Sequence, residues 1–591
     1  MKPIIDPRDG DIEDDASSTK QRSLFSLAGS LLAEISFPKL AVAWVLLIGL
    51  PGVALGLAPI LVSIWFNATT SRVSYILTGI SPIVVLAILV SFAWFGGRPL
   101  LRLFEASFWS LNALGVQPFY IVGREGFRQI VEQLLPQSVS AAGRASVRAA
   151  SAAMSGILFS AISFGIVALA WSHTRWAVSF ADLPPLRLLI EIALANAVVI
   201  VSTYFGLAAL VWGLADATMA QARDLRSFDT PPRGGRTWRV AHLSDLHTVG
   251  ERYGFRIECG RSGPRGNGRL HQVLARLDEI HASEPLDLIL LSGDMTDAGV
   301  SAEWAELFDA LALYPKLTPL LVGLPGNHDV NVVDRANPAR MDLPTSPTKR
   351  LRQLRSISAL TALQGSRALV VDPASGRMGG TLGQAIEPYR AEIERFADKG
   401  SFRLSWRLAN LWATMFPMVL PPDTEDGLGI IILNSNADTH FSFTNALGMV
   451  SYEQAKGLDI AVAQYPRACW IIALHHHVVE YPKPAKALSV RIGTALINGS
   501  WFVRRLQGLS DNAVVMHGHR HIDWIGECGG LLIVSAPSPV MEATDDEDTY
   551  FYIHKLALGP DGKLKLLEPE RVPLRGRRVH DDSAVMQADP E

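Results

Sequence analysis

Two patterns of apolar residues meet near position 215 of this 591-residue chain. Ahead of that point the apolar residues come in long, unbroken runs. Leu40 through Ser71, Val73 through Gly97 and Ile192 through Ala215 contain no charged residue, and Ala149 to Thr174 has only His173 as a titratable group. A helix needs about 20 apolar residues to cross a bilayer. The runs therefore predict an all-α membrane domain over 39–215, with four transmembrane helices at about 40–66, 73–96, 151–172 and 188–215. Across 98–148, Leu100, Leu101, Leu103, Phe104, Phe108 and Trp109 fall among charges at roughly helical spacing, as do Phe127, Ile130, Val131 and Leu134. This connection reads as amphipathic helices, either lying on the leaflet with arginines near anionic headgroups or packing against the other domains.

Past position 215 the apolar runs shorten to four to seven residues, each followed by polar groups. Strands are predicted at Trp238–Ser244, Leu288–Leu291, Leu320–Gly323, Gly429–Leu433, Cys469–Leu474 and Ala513–Met516. Helical patterns such as Leu270–Ala282 and Ser301–Leu313 lie between them. Buried strands alternating with helices predict an α/β domain whose polar residues gather at the strand ends. It is expected over 237–556, with an insertion at about 335–427. Residues 1–38 read as a disordered cytoplasmic tail, 216–236 as a linker carrying Pro231-Pro232-Arg233-Gly234-Gly235, and 557–591 as a second tail.

Charge adds orientation. Lys2, Arg8, Lys20, Arg22 and Lys39 precede the first apolar run, six arginines between Arg98 and Arg148 follow the second, and Arg223, Arg226, Arg233, Arg236 and Arg239 follow the fourth. The intervening connections carry only Arg72, then Arg175 and Arg187. Basic residues mark the cytoplasmic side. Both termini and the α/β domain are therefore expected in the cytoplasm, in a multi-pass protein of a bacterial inner membrane. A net charge of −3 offers nothing to a nucleic acid. Cys259, Cys469 and Cys528 have no C-x-x-C spacing, so neither a thiolate zinc site nor a disulfide framework is suggested. No charged residue falls inside an apolar run, so the helices read as anchor or sensor, not as a transport path.

The chemistry lies in five polar clusters: Asp245-x-His247, Gly293-Asp294, Gly326-Asn327-His328-Asp329, His475-His476-His477 and Gly518-His519-Arg520-His521. Each alone is weak, but each follows a predicted strand. Mixed oxygen and imidazole donors suit Mn, Fe or Zn better than Mg or Ca. His475, the first residue past its strand, is the preferred donor of its run, with His476 as the alternative. His242 lies within a strand and reads as a core histidine. Asp329 reads as an anchor for its own loop.

In this order the clusters resemble the signature of the calcineurin-like metallophosphoesterases, closest to the branch of class III cyclic-nucleotide phosphodiesterases, over roughly 237–556. The resemblance implies an αββα sandwich holding two divalent or mixed-valence metal ions. Asp245, His247 and His521 would hold one, Asn327, His475 and His519 the other, and Asp294 would bridge them. Two such ions about 4 Å apart lower the pKa of a bridging water and clamp the phosphoryl oxygens. His328 matches the family histidine that contacts the phosphate or protonates the leaving oxygen, and Asp297 the carboxylate that orients it in some members. Capping of the helix that follows is the structural alternative for Asp297. Ala298-Gly299 follows Asp297, so the Gly-Asp-x-x-Asp-Arg-Gly pattern of protein phosphatases is missing.

The expected activity is thus hydrolysis of a phosphodiester, a cyclic nucleotide among the candidates. The alternatives are a phospholipid or nucleotide-lipid pyrophosphate at the inner leaflet, and a non-enzymatic signalling protein on a retired fold. The expected partners are a small phosphorylated substrate or lipid headgroup, and membrane lipids. Two insertions bear on substrate. Arg252, Arg256, Arg261, Arg265 and Arg269 offer an anion-binding rim or a solvated loop. Trp406, Leu411, Trp412, Met415, Phe416 and Met418 offer a cap on the site, a membrane contact or a small subdomain with its own core.

Overall fold

In the computed structural model the described residues are 3–9, 41–42, 45, 49–77, 117–136, 139, 141–178, 183–232, 234–251, 266–333, 340, 342, 346–439, 442–482, 496–540 and 547–576. The chain divides into two compact units, 37–219 and the remainder.

In the helical unit, helices cover Leu50–Leu77, Gln117–Leu134, Ala141–Ala170 and Leu186–Ala217. Among the described residues, two apolar helices are long enough to cross a membrane, Gly143–His173 and Leu186–Ala217, with a shorter apolar helix at Gly52–Asn67. Four transmembrane helices are thus not established. The turn expected between 66 and 73 is replaced by continuous helix. That stretch holds no glycine or proline to break it, and Thr70 Oγ1 donates back to the Phe66 carbonyl at 2.7 Å. The rest of the expected second span, and residues 98–116 of the amphipathic connection, lie outside the described residues.

The two long helices approach closely at small residues. A Cβ on Gly213 would sit 2.9 Å from Gly156 Cα, which is why glycine is required there. Helix Gln117–Leu134 packs on this unit instead of standing free. Tyr120 and Ile121 are buried, the Tyr120 hydroxyl donates to the Asp216 carboxylate at 3.1 Å, and Arg124 pairs with both Asp216 and Glu125.

In the α/β unit the strands are β1 (Ala222–Asp224), β2 (Thr237–Leu243), β3 (Leu288–Leu291), β4 (Leu321–Gly323), β5 (Leu369–Asp372), β6 (Arg377–Thr381), β7 (Met418–Leu420) and β8 (Leu428–Ile432). They continue as β9 (Cys469–Ala473), β10 (Ala513–His517), β11 (Trp524–Cys528), β12 (Leu531–Ser535), β13 (Thr549–Leu558), β14 (Leu564–Leu566) and β15 (Glu570–Leu574). One sheet has the order β1-β11-β12-β10-β9-β8-β7-β5-β6; the other runs β14-β13-β2-β3-β4, with β15 beside β13. Strands β8, β9, β10 and β12 are mutually parallel, as are β2, β3 and β4. These parallel strands are the continuous apolar runs of the sequence, buried on both faces. One core cluster takes Val240, Leu290, Ile471, Met516 and Val534 from both sheets.

Three boundaries differ from expectation. Part of the 216–236 linker is β1, which pairs with β11 at the sheet edge. The 557–591 tail contains β14 and β15, both paired with β13. Residues 3–9 are ordered on the α/β unit: Ile4 and Ile5 are buried, Ile5 N donates to Ser358 Oγ at 2.9 Å, and Ser301 Oγ donates to the Pro7 carbonyl at 3.0 Å. Two isoleucines beside a short polar stretch are apolar surface enough to dock a segment too short to register as an element. The second insertion is neither a separate subdomain nor a loose cap. Its strands β5 and β7 extend the nine-stranded sheet, and Ile393, Phe396, Trp412 and Phe416 join the main core. Trp406 is exposed.

Candidate metal centre

The site forms where β2, β3, β4, β9 and β10 end. The first two loops are zipped together: Asp245 N donates to the Gly293 carbonyl and His247 N to the Asp294 carbonyl, each at 3.0 Å. Five non-glycine residues have positive φ among the described residues: Asp245, His247, Asp294, His519 and His521. All five are sequence-predicted ligands. A left-handed conformation costs such residues about 1–3 kcal/mol and persists only where the surroundings enforce it. Here the strain turns each side chain inward from the strand end.

All seven predicted ligands are brought together. Asp245, His247 and His521 form one group, and Asp294, His475 and His519 a second; within each, the donor atoms lie within 4.8 Å of one another. Asp294 spans both, with Oδ2 3.2 Å from His475 Nε2 and 3.9 Å from His247 Nε2. Asn327 Oδ1 is 3.1 Å from His475 Nε2, as is His519 Nδ1. His475 Nδ1 is occupied by the Ser292 carbonyl at 2.8 Å. In the neutral ring, a hydrogen on Nδ1 leaves Nε2 with a lone pair, facing a carboxylate, an amide oxygen and a second imidazole. Four acceptors converging on one point are repulsive unless a cation lies among them, whether a proton on His475 Nε2 or a metal ion. The donor set fits a pair of divalent ions.

Electrostatics agree. Burial pushes the His475 imidazole down, but the adjacent Asp294 carboxylate outweighs it and holds the pKa at about 9. Burial opposes ionisation of Asp294 as well, yet His475 and His328 keep its carboxyl well below the usual range. Asp245, despite burial, lies at about 2 beside His521. His247 and His519 are lowered, chiefly by burial, and stay neutral. Of the adjacent histidines, His475 is the one aimed into the group. His476 Nδ1 is 2.9 Å from Ser435 Oγ, on the neighbouring loop.

His328 lies at the rim. Its N–H donates to Asp294 Oδ1 at 2.8 Å, and its Nδ1 is 2.7 Å from the Asp297 carbonyl. The Asp297 carboxylate faces two rings: Oδ1 is 3.2 Å from His247 Nδ1 and 3.9 Å from His328 Nδ1. Asp297 thus fixes the ring of His247 with its carboxylate and holds His328 with its backbone. It does not cap the next helix, whose N-cap is Val300. Asp329 anchors its loop as expected, accepting from Gly326 N, Thr296 N and Thr296 Oγ1. His242 is a core histidine, 2.9 Å from Ser292 Oγ.

Of the arginine-rich insertion, Arg252, Arg256, Arg261 and Arg265 lie outside the described residues. Arg269 is no anion rim, because it is buried and donates to the Leu574 and Arg575 carbonyls.

Sequence reasoning missed a set of buried cations on helix Pro347–Gln364. Lys349 donates to the Thr439 carbonyl at 2.7 Å, Arg352 to Val330 at 3.3 Å and Arg355 to Gly299 at 3.1 Å. One insertion helix thereby grips the loops carrying Asp297, His328 and the segment beside His475. The available signal was a cation at every third position, which puts all three on adjoining parts of one helix face.

Glycine is required at Gly326, where an added Cβ would fall on the backbone N and Oδ1 of Asp294. Gly326→Ala is expected to cost about 1–3 kcal/mol of stability from overpacking and to weaken metal binding, measured by thermal denaturation with and without chelator. An unchanged chelator-sensitive shift would contradict this placement.

Residues 239–523 match the family described as calcineurin-like phosphoesterase. No curated protein matches the chain. Among solved structures, a Staphylococcus aureus protein described as a 5'-nucleotidase is 12% identical over 59% of this chain and 57% of its own, with a TM-score of 0.31. A Danio rerio dimetal phosphatase is 13% identical over 57% of this chain and 99% of its own, with a TM-score of 0.30. The Haemophilus influenzae NAD nucleotidase is 13% identical over 58% of this chain and 56% of its own, with a TM-score of 0.29. The chain thus spans little more than half the length of the two nucleotidases. With the family match and this donor set together, the stretch from 239 to 523 is a calcineurin-like metallophosphoesterase domain, of a family whose members use a dinuclear metal site.

Proposed function

We propose that the chain is a dinuclear-metal phosphodiesterase, anchored in a membrane by its helical unit, with its site on the cytoplasmic side. The observation that carries the reading is the ring of acceptors around His475 Nε2, from Asp294, Asn327 and His519. Asp245, His247 and His521 would hold one ion, Asn327, His475 and His519 the other, with Asp294 shared; Mn, Fe or Zn suit these donors. Bound there, the ions would supply Lewis acidity to the phosphoryl group and an activated water.

The chain's own residues do the rest. Asp294 holds the His328 backbone, and the Asp297 carbonyl engages Nδ1, leaving Nε2 to protonate the leaving oxygen. The diester preference rests on Gly326-Asn327-His328-Asp329 combined with Gly518-His519-Arg520-His521, and on Ala298-Gly299 where protein phosphatases continue differently. The substrate is a small phosphorylated molecule, with no part for nucleic acid. Exposed apolar residues on both long helices, such as Ile157, Ile162, Leu207 and Val211, support anchoring. The alternation of basic residues supports the orientation. The same exposed helices favour a second reading, in which the ester is a lipid phosphate drawn from the inner leaflet.

The test is turnover by the full-length chain, purified with Mn. A chromogenic phosphodiester, a monoester and cyclic AMP would be compared with and without lipid vesicles. Metal-dependent diester hydrolysis exceeding that of the monoester is expected. Bound metal without turnover of any ester would overturn the reading, and turnover of vesicle lipid alone would select the second one.

A further inference from the structure

A cavity of about 240 Å³ opens among loops that the metal centre also uses. One wall is Val330 and Asn331, at the end of the Asn327–Val330 turn. A second is Asn434 to Asp438, leaving β8, where Ser435 Oγ accepts from the backbone N–H groups of His475 and His476. The third comes from the insertion, with Arg350 on its first helix and the rings of Trp412 and Phe416. Those two rings meet edge to face, with centroids 5.1 Å apart.

The polar groups on these walls are unevenly satisfied. Lys349 is neutralised by Asp438 and the Thr439 carbonyl, and Asn434 Oδ1 accepts twice from Asn436. Asn436 Oδ1 and Arg350 Nε are buried with no partner. A buried acceptor and a buried donor without partners each lose their hydration for nothing, unless a ligand completes them. A molecule entering the cavity would meet aromatic surface, one open acceptor and one open donor. The space is small and polar-lined, which suits a ring and not an acyl chain.

We propose that this cavity is a substrate subsite of the phosphoesterase, taking from a group esterified to the phosphate a planar heteroaromatic ring that carries both a hydrogen-bond donor and an acceptor. The proposal rests on the reading of the metal centre as a phosphoesterase, and it names the chemical class of group esterified to the phosphate. Trp412 and Phe416 give the ring apolar contact and stacking; Asn436 and Arg350 read its edge. A lipid phosphate offers no such ring.

The experiment has two arms on the full-length chain with Mn. In the first, adenosine, guanosine, cytidine and uridine, all without phosphate, are titrated calorimetrically. At least one is expected to bind saturably, with Trp412→Ala and Arg350→Ala each weakening it ~10-fold, the usual scale for loss of a base-stacking contact. In the second, the 4-nitrophenyl ester of a nucleoside 5'-phosphate is compared with methyl 4-nitrophenyl phosphate. The ratio of their kcat/KM values is expected to fall ~10-fold in both variants, mainly through KM, and Trp412→Phe should restore most of it. Equal losses on the two esters, or no saturable binding of any nucleoside, would overturn the proposal. If no ester is hydrolysed, the phosphoesterase reading fails, while the nucleoside titration still decides the cavity. Activity on lipid vesicles with no nucleoside binding would place the lipid reading ahead.

Discussion

Replacing Asp294 with alanine is expected to lower kcat on any phosphoester by on the order of 10³-fold, ~4 kcal/mol of barrier, and to halve or abolish bound metal measured by elemental analysis. The size follows from how many jobs one carboxylate does. Oδ2 is the oxygen nearest both candidate groups, 3.2 Å from His475 Nε2 and 3.9 Å from His247 Nε2, while Oδ1 accepts the backbone N–H of His328. No other acidic residue among the described residues belongs to the second group. Loss of the carboxylate leaves the half-buried His328 N–H without this acceptor, a stability cost of about 1 kcal/mol. The variant should therefore remain folded while losing its chemistry. Asp294→Asn keeps that hydrogen bond but not the charge, so it should recover stability and not turnover. Full activity in either variant would exclude Asp294 as the shared ligand.

The parts of this site that were legible in the sequence share one property: they follow a short apolar strand at once. Asp245, Asp294, Asn327, His475 and His519 all stand within four residues of a strand end. A strand buried on both faces fixes its end in space, so whatever polar residue comes next is placed by the sheet. The choice of His475 over His476 is the same argument at its finest, since the first polar residue past β9 is the one that points into the group.

What was not legible depends on contacts distant in sequence. Asp297 lies three residues past Asp294, and the sequence offered His328 as its partner. The fold brings His247 closer to its carboxylate, through the zipped loops at Thr248 and Thr296. A carboxylate on the far nitrogen of a metal-binding histidine fixes the ring and raises its basicity, which is a different task from steering a proton donor. Likewise nothing local to Lys349, Arg352 and Arg355 reveals that they meet carbonyls from three separate loops. Strands β5, β7, β14 and β15 were hidden because three- to five-residue segments have no periodicity to read. In the helical unit the apolar length was visible. The continuity of helix Leu50–Leu77 through Asn67 to Arg72 was not, since polar residues there suggested a surface turn that no glycine or proline enforces.

Metal affinity is expected to climb roughly tenfold per pH unit up to about pH 9 and then level off, because binding must displace a proton from His475. In the metal-free site that imidazole is protonated below about 9, held so by Asp294 against the opposing effect of burial. His247 and His519 are already neutral, and Asp245 and Asp294 already ionised, so they release nothing. At pH 7.5 His475 should therefore contribute one proton, absent in His475→Ala, when Mn binding is measured calorimetrically in buffers of different ionisation enthalpy. The stability of the metal-free protein moves the other way. A folded-state pKa raised from 6.5 to about 9 gives a contribution fully present below pH 6.5 and lost as pH rises through about 9, worth up to ~3 kcal/mol. The gap between melting temperatures with Mn and with chelator should thus widen steadily between pH 6.5 and 9. His475→Ala should flatten both trends, whereas His476→Ala, whose ring is held neutral by burial, should leave both slopes in place. A gap that stays constant with pH in the unsubstituted protein would mean that His475 surrenders no proton to the metal, and with that its assignment as a ligand would fall.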